Sequence, residues 1–302
     1  MEDISLTSYL YSAVKRAQRQ GMSIKSEATP IGQDYTVDNV CFSFSGGQTP
    51  FNSDQANHFI NDKWEVSQAL RIRTNTPHTE NFEKNSAFCN DEIVADLMQK
   101  INSESHPFYF PLVIKPNNGS LSENVYIVED EDALRSAIET VRQNDQNGSM
   151  VLAQQYIGPA KEYRVICLDG QCLLAYEKNI DDAPITATEP NPIYRQGSKV
   201  VLVEDPALLS QFTDIAMGLY QDHGVQYVGL DIRVDANDLA WVIEGNSSPM
   251  GLKRVIWDIE DGRAIIDNLC DKMISKMQNI AKIQNTPMTD LIQREYGPAI
   301  HR

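Results

Sequence analysis

Residues 227–246 constrain the fold more than any other stretch, because they predict a β-hairpin with two different faces. Apolar residues occupy every second position of its first half, as is typical of a half-buried strand, namely Val228, Leu230, Ile232 and Val234. After a four-residue turn the second half alternates in the same way. We expect Trp241 and Ile243 on its buried face, with Val242 and Glu244 on the polar face.

The polar face of this hairpin carries two acidic residues and an amide. If Asp235 pairs with Ala240 across the turn, Asp231 lies opposite Glu244, with Cβ atoms roughly 5 Å apart. Asn246 follows on the same face as Glu244. Two facing carboxylates repel unless one is protonated or a cation lies between them. Because Mg²⁺ prefers oxygen donors, the pattern predicts a magnesium site; the alternative is a polar strand face in water, with a neighbouring arginine offsetting the charge.

The composition restricts the class of protein and its partners. The chain has 302 residues and a formal net charge of −16, which argues against sequence-independent binding to nucleic acid or anionic membranes, since both need clustered cations. Its five cysteines show no CxxC spacing, which favours a reducing compartment. The first residues are acidic where a signal peptide is basic, and no apolar run approaches about 18 residues. We therefore expect a cytoplasmic protein that binds neither nucleic acid nor membrane.

The order of the expected elements favours an α+β or α/β enzyme that is built from lobes. Hydrophobic periodicity predicts helices over 5–20, from 61 onwards, and over 92–101, 131–143, 208–223 and 259–283. Besides the hairpin and short strands within 22–51, strands are predicted over 108–116, 124–128, 151–156, 162–168 and 171–177. Residues 180–198 are rich in proline and aspartate and predict a loop.

Lys115 ends an apolar strand and precedes a polar loop that contains Gly119 and Ser120. A lysine at such a junction can bring its ammonium group to a phosphate while the N–H groups of the loop surround the phosphate oxygens. The sequence lacks the GxxxxGK[ST] pattern of a P-loop. Phosphate binding and a surface lysine before a turn are therefore both open interpretations.

The segment 151–158 has the character of a hinge between two lobes, because an apolar strand turns polar there before a glycine. Backbone N–H and C=O groups of a hinge can bind an adenine edge, with Gln154 adding a side-chain contact. Glu162, four residues past the hinge, can bind ribose hydroxyls. In isolation the same residues describe a strand and a turn.

Four cations near these segments are candidates for contact with an anion. Lys178 and Arg195 can meet a phosphate or a substrate carboxylate, although a solvated charge is the commoner fate of each. Arg233 shares the polar strand face with Asp231. Arg164 lies within a predicted strand, where a structural ion pair is the alternative.

Taken together and in this order, these pieces resemble the ATP-grasp superfamily of carboxylate–amine ligases. The resemblance spans about residues 61–250 and depends most on the signature Asp…Glu-x-Asn-x-Ser-Pro, from Asp231 to Pro249. The other matching elements are 61–63, 113–115 with its loop, 154–157 and Glu162. Weaker similarity extends through the helix at 12–21 to the cyanophycin synthetase and bifunctional glutathione synthetase branch.

The resemblance implies an ATP-grasp fold, in which two α+β lobes clasp ATP, preceded by a short N-terminal lobe. The implied segments are an N-terminal lobe at 1–60, a helical link at 61–107, a lid subdomain at 108–157 and a catalytic subdomain at 158–302.

The family's roles carry over to residues that match its motifs. Nucleotide binding would fall to Lys63, Lys115, Gly119, Ser120, Gln154, Gln155, Tyr156, Ile157 and Glu162. The metal ions would be held by Asp231, Glu244 and Asn246, and the catalytic cations would be Arg195, Lys178 and Arg233. Three features depart from the family pattern: a single glycine in the loop 117–122, Gln154 where the family often has Glu, and an N-terminal lobe of only 60 residues.

The implied enzyme joins a carboxylate to an amine through an acyl phosphate, consuming ATP with Mg²⁺ or Mn²⁺ and releasing ADP and phosphate. Amino acids or peptides are the expected substrates, and the short N-terminal lobe makes a second copy of the chain, as a homodimer, a candidate partner. Three alternatives stay open: an ATP-grasp phosphotransferase, a nucleotide-binding regulator without turnover, and an adaptor whose acidic surface is its function.

Overall fold

The computed structural model describes residues 6–45, 48–71, 74–82, 89–119, 123–144, 150–179 and 198–286. The chain contacts divide it into two compact units, one of residues 1–50 with 260–302 and the other of residues 51–259. The C-terminal helix therefore groups with the N-terminal residues and not with the segment that follows the hinge. The four-segment division at 60, 107 and 157 stays a prediction.

In its described part, the first unit combines two helices with a small antiparallel sheet. Its elements are α1 (Leu6–Arg19), β1 (Ile24–Thr29), β2 (Gly32–Val37), β3 (Val40–Ser45) and α8 (Gly262–Asn285), and the strands lie in the order β1-β2-β3. The buried side of α1 carries the apolar residues expected from its periodicity. Arg16 on its other side pairs with Asp267 at 3.1 Å and Asp271 at 2.8 Å, and so joins α1 to α8.

The second unit contains two antiparallel sheets with helices packed against them. Its helices are α2 (Asp54–Asn61), α3 (Lys63–Leu70), α4 (Asn90–Ile101), α5 (Glu131–Asn144), α6 (Pro206–His223) and α7 (Leu252–Asp258). One sheet has the order β4-β7-β5-β6, from β4 (Thr79–Phe82), β5 (Leu112–Pro116), β6 (Tyr126–Val128) and β7 (Val151–Gln155). The other has the order β10-β9-β8-β11-β12, from β8 (Ala160–Leu168), β9 (Gln171–Asn179), β10 (Lys199–Leu202), β11 (Tyr227–Asp235) and β12 (Ala240–Asn246). The α+β class is confirmed.

Each sheet of the second unit covers its own core. The four-stranded sheet packs against α4 and α5 through apolar residues such as Leu97, Ile114 and Ile138. The five-stranded sheet packs against α2, α3 and α6 through Ile60, Phe212 and others. Each sheet therefore buries one face and leaves polar side chains on parts of the other.

The hairpin β11–β12 confirms the pairing of Asp231 with Glu244 but corrects the register that predicted it. Ala240 pairs with Val234 and not with Asp235, and a β-bulge at Ile243 then shifts the register by one residue. Because of the bulge, the residues of β12 before Ile243 lie on the opposite face from the one expected. Ala240 and Val242 are buried, whereas Trp241, expected on the buried face, is half-buried.

The sequence missed α2, β4, β10 and α7, which are all eight residues or shorter. Such short elements show too little periodicity to be recognised, and their positions depend on packing partners that are distant in sequence. Among the described residues, no helix is long and apolar enough to cross a membrane.

Candidate active site

One cavity of the second unit, of about 400 Å³, brings together residues that are far apart in the sequence. It is lined by thirteen of the predicted site residues: Lys63, Lys115, Gly119, Gln154, Gln155, Tyr156, Ile157, Glu162, Lys178, Asp231, Arg233, Glu244 and Asn246. Both sheets of the unit contribute to this set. The other two predicted residues, Ser120 and Arg195, lie outside the described residues, as does nearly all of the loop 180–198. The volume suits a small-molecule ligand.

An ion-pair cluster forms the floor of the cavity on the five-stranded sheet. Arg164 of β8 binds both carboxylate oxygens of Asp231, through Nε at 2.9 Å and a terminal nitrogen at 3.1 Å. Lys178 of β9 donates to Asp231 at 2.6 Å and to Glu162 at 2.8 Å. Burial opposes ionisation of Asp231, but the two cations outweigh it and lower the pKa of Asp231 to about 2. Their own pKa values are raised by these carboxylates, against the effect of burial.

The oxygen donors of the hairpin fit a hard divalent cation. Asp231 and Glu244 are direct partners across β11 and β12, and Asn246 follows on β12. Among the described residues, Glu244 forms an ion pair with Lys63 at 3.9 Å, a looser contact than those of Asp231. Asn246 Oδ1 accepts a hydrogen bond from Ser248 N–H at 2.8 Å, which orients the amide oxygen. Two carboxylates and one amide oxygen, completed by water and phosphate oxygens, are ligands of the kind that Mg²⁺ prefers.

Lys115 on the four-stranded sheet is held in a different way. The residue is 2% exposed, and its ammonium group donates to Gln154 Oε1 at 2.9 Å. Gln154 Nε2 donates in turn to Thr79 Oγ1 at 3.1 Å, and the Thr79 hydroxyl donates to Pro77 C=O at 3.0 Å. This chain of bonds fixes the orientation of the amide. Burial lowers the pKa of Lys115 to about 8, because no carboxylate among the described residues is in contact with it.

Lys63, the first residue of α3, contacts the loop that follows β5. Its ammonium group donates to Asn117 C=O at 3.1 Å and Gly119 C=O at 2.9 Å. Asn117 is 1% exposed, and its side-chain amide donates to Asp62 Oδ2 at 2.8 Å, while Asp62 Oδ1 caps α3 by accepting from Glu65 N–H. The start of the loop 117–119 is thus fixed to the N-terminus of α3.

The segment 155–158 runs between the two sheets and forms one wall of the cavity. Gln155 N–H donates to His78 C=O at 2.8 Å, which continues the pairing of β7 with β4. Ile157 C=O accepts from an Arg233 terminal nitrogen at 2.6 Å. Arg233 therefore lies at the hinge, beside the residues predicted to bind a nucleotide base.

Three residues of the site were not recognised as functional from the sequence. Arg164 was expected to contact an anion or, as the alternative, to form a structural ion pair, and the structure pairs it with Asp231. Asn61 holds the turn after β12, since it accepts from Ser247 N–H at 3.0 Å and donates to Ser247 Oγ at 2.9 Å. Asn117 fixes the loop after β5. Asn61 and Asn117 lie within the recognised segments 61–63 and 117–122, and Arg164 lies two residues after Glu162, but the sequence assigned no contact to any of them.

A second cluster of ionisable groups lies behind the hinge. His78 and His106 both face Glu80 Oε1, at 3.3 Å and 3.7 Å, and Lys100 pairs with Oε2 at 3.2 Å. His106 Nδ1 accepts from Phe108 N–H at 3.3 Å, so the neutral ring carries its proton on Nε2, the nitrogen that faces Glu80. A metal ion would need that nitrogen unprotonated and would be repelled by Lys100. We therefore regard this cluster as a network that stabilises β4.

Comparison with known proteins assigns the class to which this fold and site belong. The model of the RimK-like ATP-grasp domain matches residues 61–269, well over half of the chain. The chain therefore belongs to the RimK-like ATP-grasp family, and the ATP-grasp fold expected from the sequence is confirmed.

Individual relatives are ligases. A D-alanine–D-alanine ligase from Synechococcus sp. (strain JA-2-3B'a(2-13)) is 31% identical over 143 residues, covering 46% of this chain and 42% of the ligase. The crystal structure of D-alanine–D-alanine ligase from Bacillus anthracis matches with a TM-score of 0.54 at 24% identity, covering 76% of this chain and 71% of that one. The ATP-grasp ligase PsnB, complexed with minimal precursor, matches with a TM-score of 0.50 at 21% identity, over 74% and 63%. This chain thus spans less than half of the Synechococcus ligase.

Proposed function

We propose that this chain is an ATP- and Mg²⁺-dependent carboxylate–amine ligase, which forms an amide or peptide bond through an acyl phosphate. The observation that carries the proposal is the composition of the cavity. The cavity is lined by Lys63 of α3, by Lys115 of β5 and by the hinge residues 155–157. It is also lined by the oxygen donors of Asp231, Glu244 and Asn246. Family membership supports the same conclusion.

The cavity offers a distinct surface to each part of a nucleotide. The hinge backbone around Gln155 to Ile157 would bind the base, and Glu162 the ribose. Lys115 would carry a charge toward the phosphates, because its hydrogen-bond partner among the described residues is the neutral Gln154. Lys63 would hold the loop 117–119 over the same groups through its bonds to the loop carbonyls.

The reaction would proceed in two displacements. A substrate carboxylate oxygen attacks the γ-phosphorus of ATP and ADP leaves; an amine nitrogen then attacks the acyl carbon, phosphate leaves, and the nitrogen loses a proton. Mg²⁺ held by Asp231, Glu244 and Asn246 would neutralise phosphate oxygens during this approach. Lys178 and Arg164 keep Asp231 ionised and oriented for that task. Catalysis of this kind is mostly positioning and electrostatics.

Amino acids or peptides are the proposed substrates. The relatives' names give D-alanine as the substrate of one ligase and a precursor as the partner of another. D-alanine carries both a carboxylate and an amine. We further propose a reducing cytoplasmic setting, which the five free cysteines support, use of Mn²⁺ in place of Mg²⁺, and a homodimer as the assembly to be tested by sedimentation.

The test is ADP release from Mg-ATP across a panel of amino acids, dipeptides and small peptides, with mass spectrometry of each product. Glu244→Ala serves as the blank, since losing one electrostatic element costs about 3–4 kcal/mol of transition-state stabilisation. Glu177→Gln is the matched control, because Glu177 is a half-buried carboxylate of the same sheet that pairs with Lys161 outside the cavity.

Each outcome separates the candidate functions. Substrate-dependent ADP release with a product one water lighter than the summed reactants supports the ligase. A phosphorylated product without an amide identifies a phosphotransferase. Tight ATP binding with no turnover for any substrate would identify a regulator and contradict the proposal.

A further inference from the structure

We propose that Arg233 is a positioning residue, which holds the hinge segment 155–158 at a fixed place relative to Asp231. The proposal rests on the proposed function, because it concerns how the same cavity receives a nucleotide. It also differs from the expectation that Arg233 acts as a catalytic cation on the reacting groups.

The contacts of Arg233 point to the hinge. A terminal nitrogen donates to Ile157 C=O at 2.6 Å, and the guanidinium carbon lies 4.9 Å from the centroid of the Tyr156 ring. A planar guanidinium group makes both contacts at once, one at its edge and one at its face. Arg233 therefore holds a backbone group and a side chain of two consecutive hinge residues.

The Tyr156 ring is itself fixed within the hinge. It lies so close to Gly158 that a Cβ at position 158 would be 2.3 Å from the ring carbon Cε1. Only glycine leaves room for this ring position. The hinge is therefore a compact unit with the ring between Gly158 and the neighbouring strand, and Arg233 is the residue of that strand that binds it.

Arg233 does not form an ion pair with Glu162, although its position on the sheet would allow one. It is the direct cross-strand partner of Glu162 in the pairing of β11 with β8. Glu162 nevertheless binds Lys178, at 2.8 Å, and no carboxylate of the described residues lies within ion-pair distance of Arg233. Its Nε is buried and has no hydrogen-bond partner among these residues. Charge compensation therefore does not explain where the guanidinium lies, whereas the hinge contacts do.

The same strand also carries Asp231, two residues before Arg233. Side chains at positions i and i+2 share a face, about 7 Å apart along the strand. Asp231 lies where the phosphates and metal are proposed to bind, and Arg233 holds the segment proposed to bind the base. A single rigid strand thus sets the distance between the two ends of the nucleotide site.

The experiment compares Arg233→Gln with Arg233→Lys and with Lys161→Gln, a matched cation of the adjacent strand β8 that is outside the cavity. Calorimetry with the ATP analogue AMPPNP and Mg²⁺ gives affinity, and ADP release gives KM and kcat. We expect Arg233→Gln to weaken AMPPNP binding and raise the KM for ATP at least tenfold, with kcat at saturating ATP within about twofold. Arg233→Lys should be intermediate, because lysine keeps a donor for the carbonyl but lacks the planar face.

A second variant tests whether Arg233 acts through the hinge. Tyr156→Leu removes the ring that Arg233 contacts. We expect the double variant Arg233→Gln/Tyr156→Leu to lose less affinity than the sum of the single losses, since both residues stabilise one hinge conformation. Additive losses would mean that the two residues act independently and would overturn the proposal.

The remaining outcomes are equally decisive. A large fall in kcat with unchanged AMPPNP affinity would assign Arg233 to the reacting groups, and no change in any quantity would also overturn the proposal. If the wild-type chain binds no nucleotide, the proposed function fails. Hydrogen exchange of the peptide covering 155–158 in the free protein still tests the positioning role: faster exchange in Arg233→Gln supports it, and equal exchange with wild type overturns it.

Discussion

Two buried lysines, one on each sheet of the second unit, show opposite electrostatic behaviour in the same cavity. Lys178 of the five-stranded sheet contacts two carboxylates, those of Asp231 and Glu162. Among the described residues, Lys115 of the four-stranded sheet donates to the amide oxygen of Gln154 and forms no ion pair. Burial lowers the pKa of Lys115 to about 8, while the carboxylates raise the pKa of Lys178 above its ordinary value against the same burial.

The comparison teaches that burial alone does not decide what a buried charge does. Lys178 is compensated, so its charge is used within the protein to hold Asp231 ionised. Lys115 has no carboxylate in contact among the described residues, and burial outweighs the attraction of the more distant Glu244 and Asp231, so its pKa is lowered and its charge is available to an incoming anion. On the five-stranded sheet the charge of Lys178 therefore orients Asp231 within the protein. On the four-stranded sheet the charge of Lys115 is suited to binding a ligand.

Removing the shared carboxylate should have the largest effect. Asp231→Ala leaves Arg164 and Lys178 buried without their common partner. We expect the free energy of unfolding to fall by about 3–5 kcal/mol, because uncompensated buried charges are strongly destabilising. Urea unfolding followed by fluorescence measures this, and the substitution should also abolish turnover.

The control for this prediction is the pair of the exposed Lys161 and the half-buried Glu177 on the same sheet. Lys161 is 65% exposed at its side chain, so Glu177→Gln should cost less than about 1 kcal/mol. A loss below about 1 kcal/mol for Asp231→Ala as well would show that the cluster is solvated and that the contrast between the two sheets is wrong.

Removing the uncompensated cation should separate stability from binding. Lys115→Met leaves no charge without a partner, and it removes a buried charge that costs free energy in the folded state at neutral pH. We expect the free energy of unfolding at pH 7 to stay the same or rise, while the KM for ATP rises about 100-fold, or about 2.7 kcal/mol. Urea unfolding and ADP release measure the two quantities on one preparation.

Lys178→Met is the matched variant, because it removes the buried lysine of the other sheet. It leaves Glu162 without its cation and Asp231 with Arg164 alone. Stability should therefore fall for Lys178→Met and not for Lys115→Met. Equal losses for both variants would refute the distinction.

Much of this site could be predicted from the sequence because its motifs are local. The alternation of β11 and the spacing from Asp231 to Asn246 need no distant partner to be recognised. The pairing of Asp231 with Glu244 was nevertheless reached through a wrong register. The bulge at Ile243 compensates the one-residue error, and no period-2 rule predicts a bulge.

What the sequence could not predict depends on contacts across long separations. Arg164 meets Asp231 across the β8–β11 pairing, and Asn117 meets Asp62 across 55 positions. The role of Arg233 at the hinge depends on its contact with Ile157, 76 positions earlier in the chain. Side-chain direction decides each of these contacts, and a sequence pattern gives only the face on which a residue lies.

The smallest expected effect comes from giving Lys115 a carboxylate as its partner in place of the amide of Gln154. Gln154→Glu would place a carboxylate about where Gln154 Oε1 now lies, 2.9 Å from the ammonium group. At pH 7 this charge compensates Lys115 and repels phosphate, so we expect the KM for ATP to rise by about tenfold, or about 1.4 kcal/mol.

The pKa of Lys115 determines in which direction stability and the KM for ATP change with pH. In the wild type the folded pKa of Lys115, about 8, is below its unfolded value, so between these values the unfolded chain binds more protons and stability rises with pH. Above pH 8 the free enzyme loses the ammonium charge, and the KM for ATP should rise. In Gln154→Glu the carboxylate raises the pKa of Lys115, so the KM should stay constant to higher pH. ADP-release kinetics from pH 7 to 9.5 measure both profiles; coincident profiles would show that Lys115 is not the group whose charge binds the nucleotide.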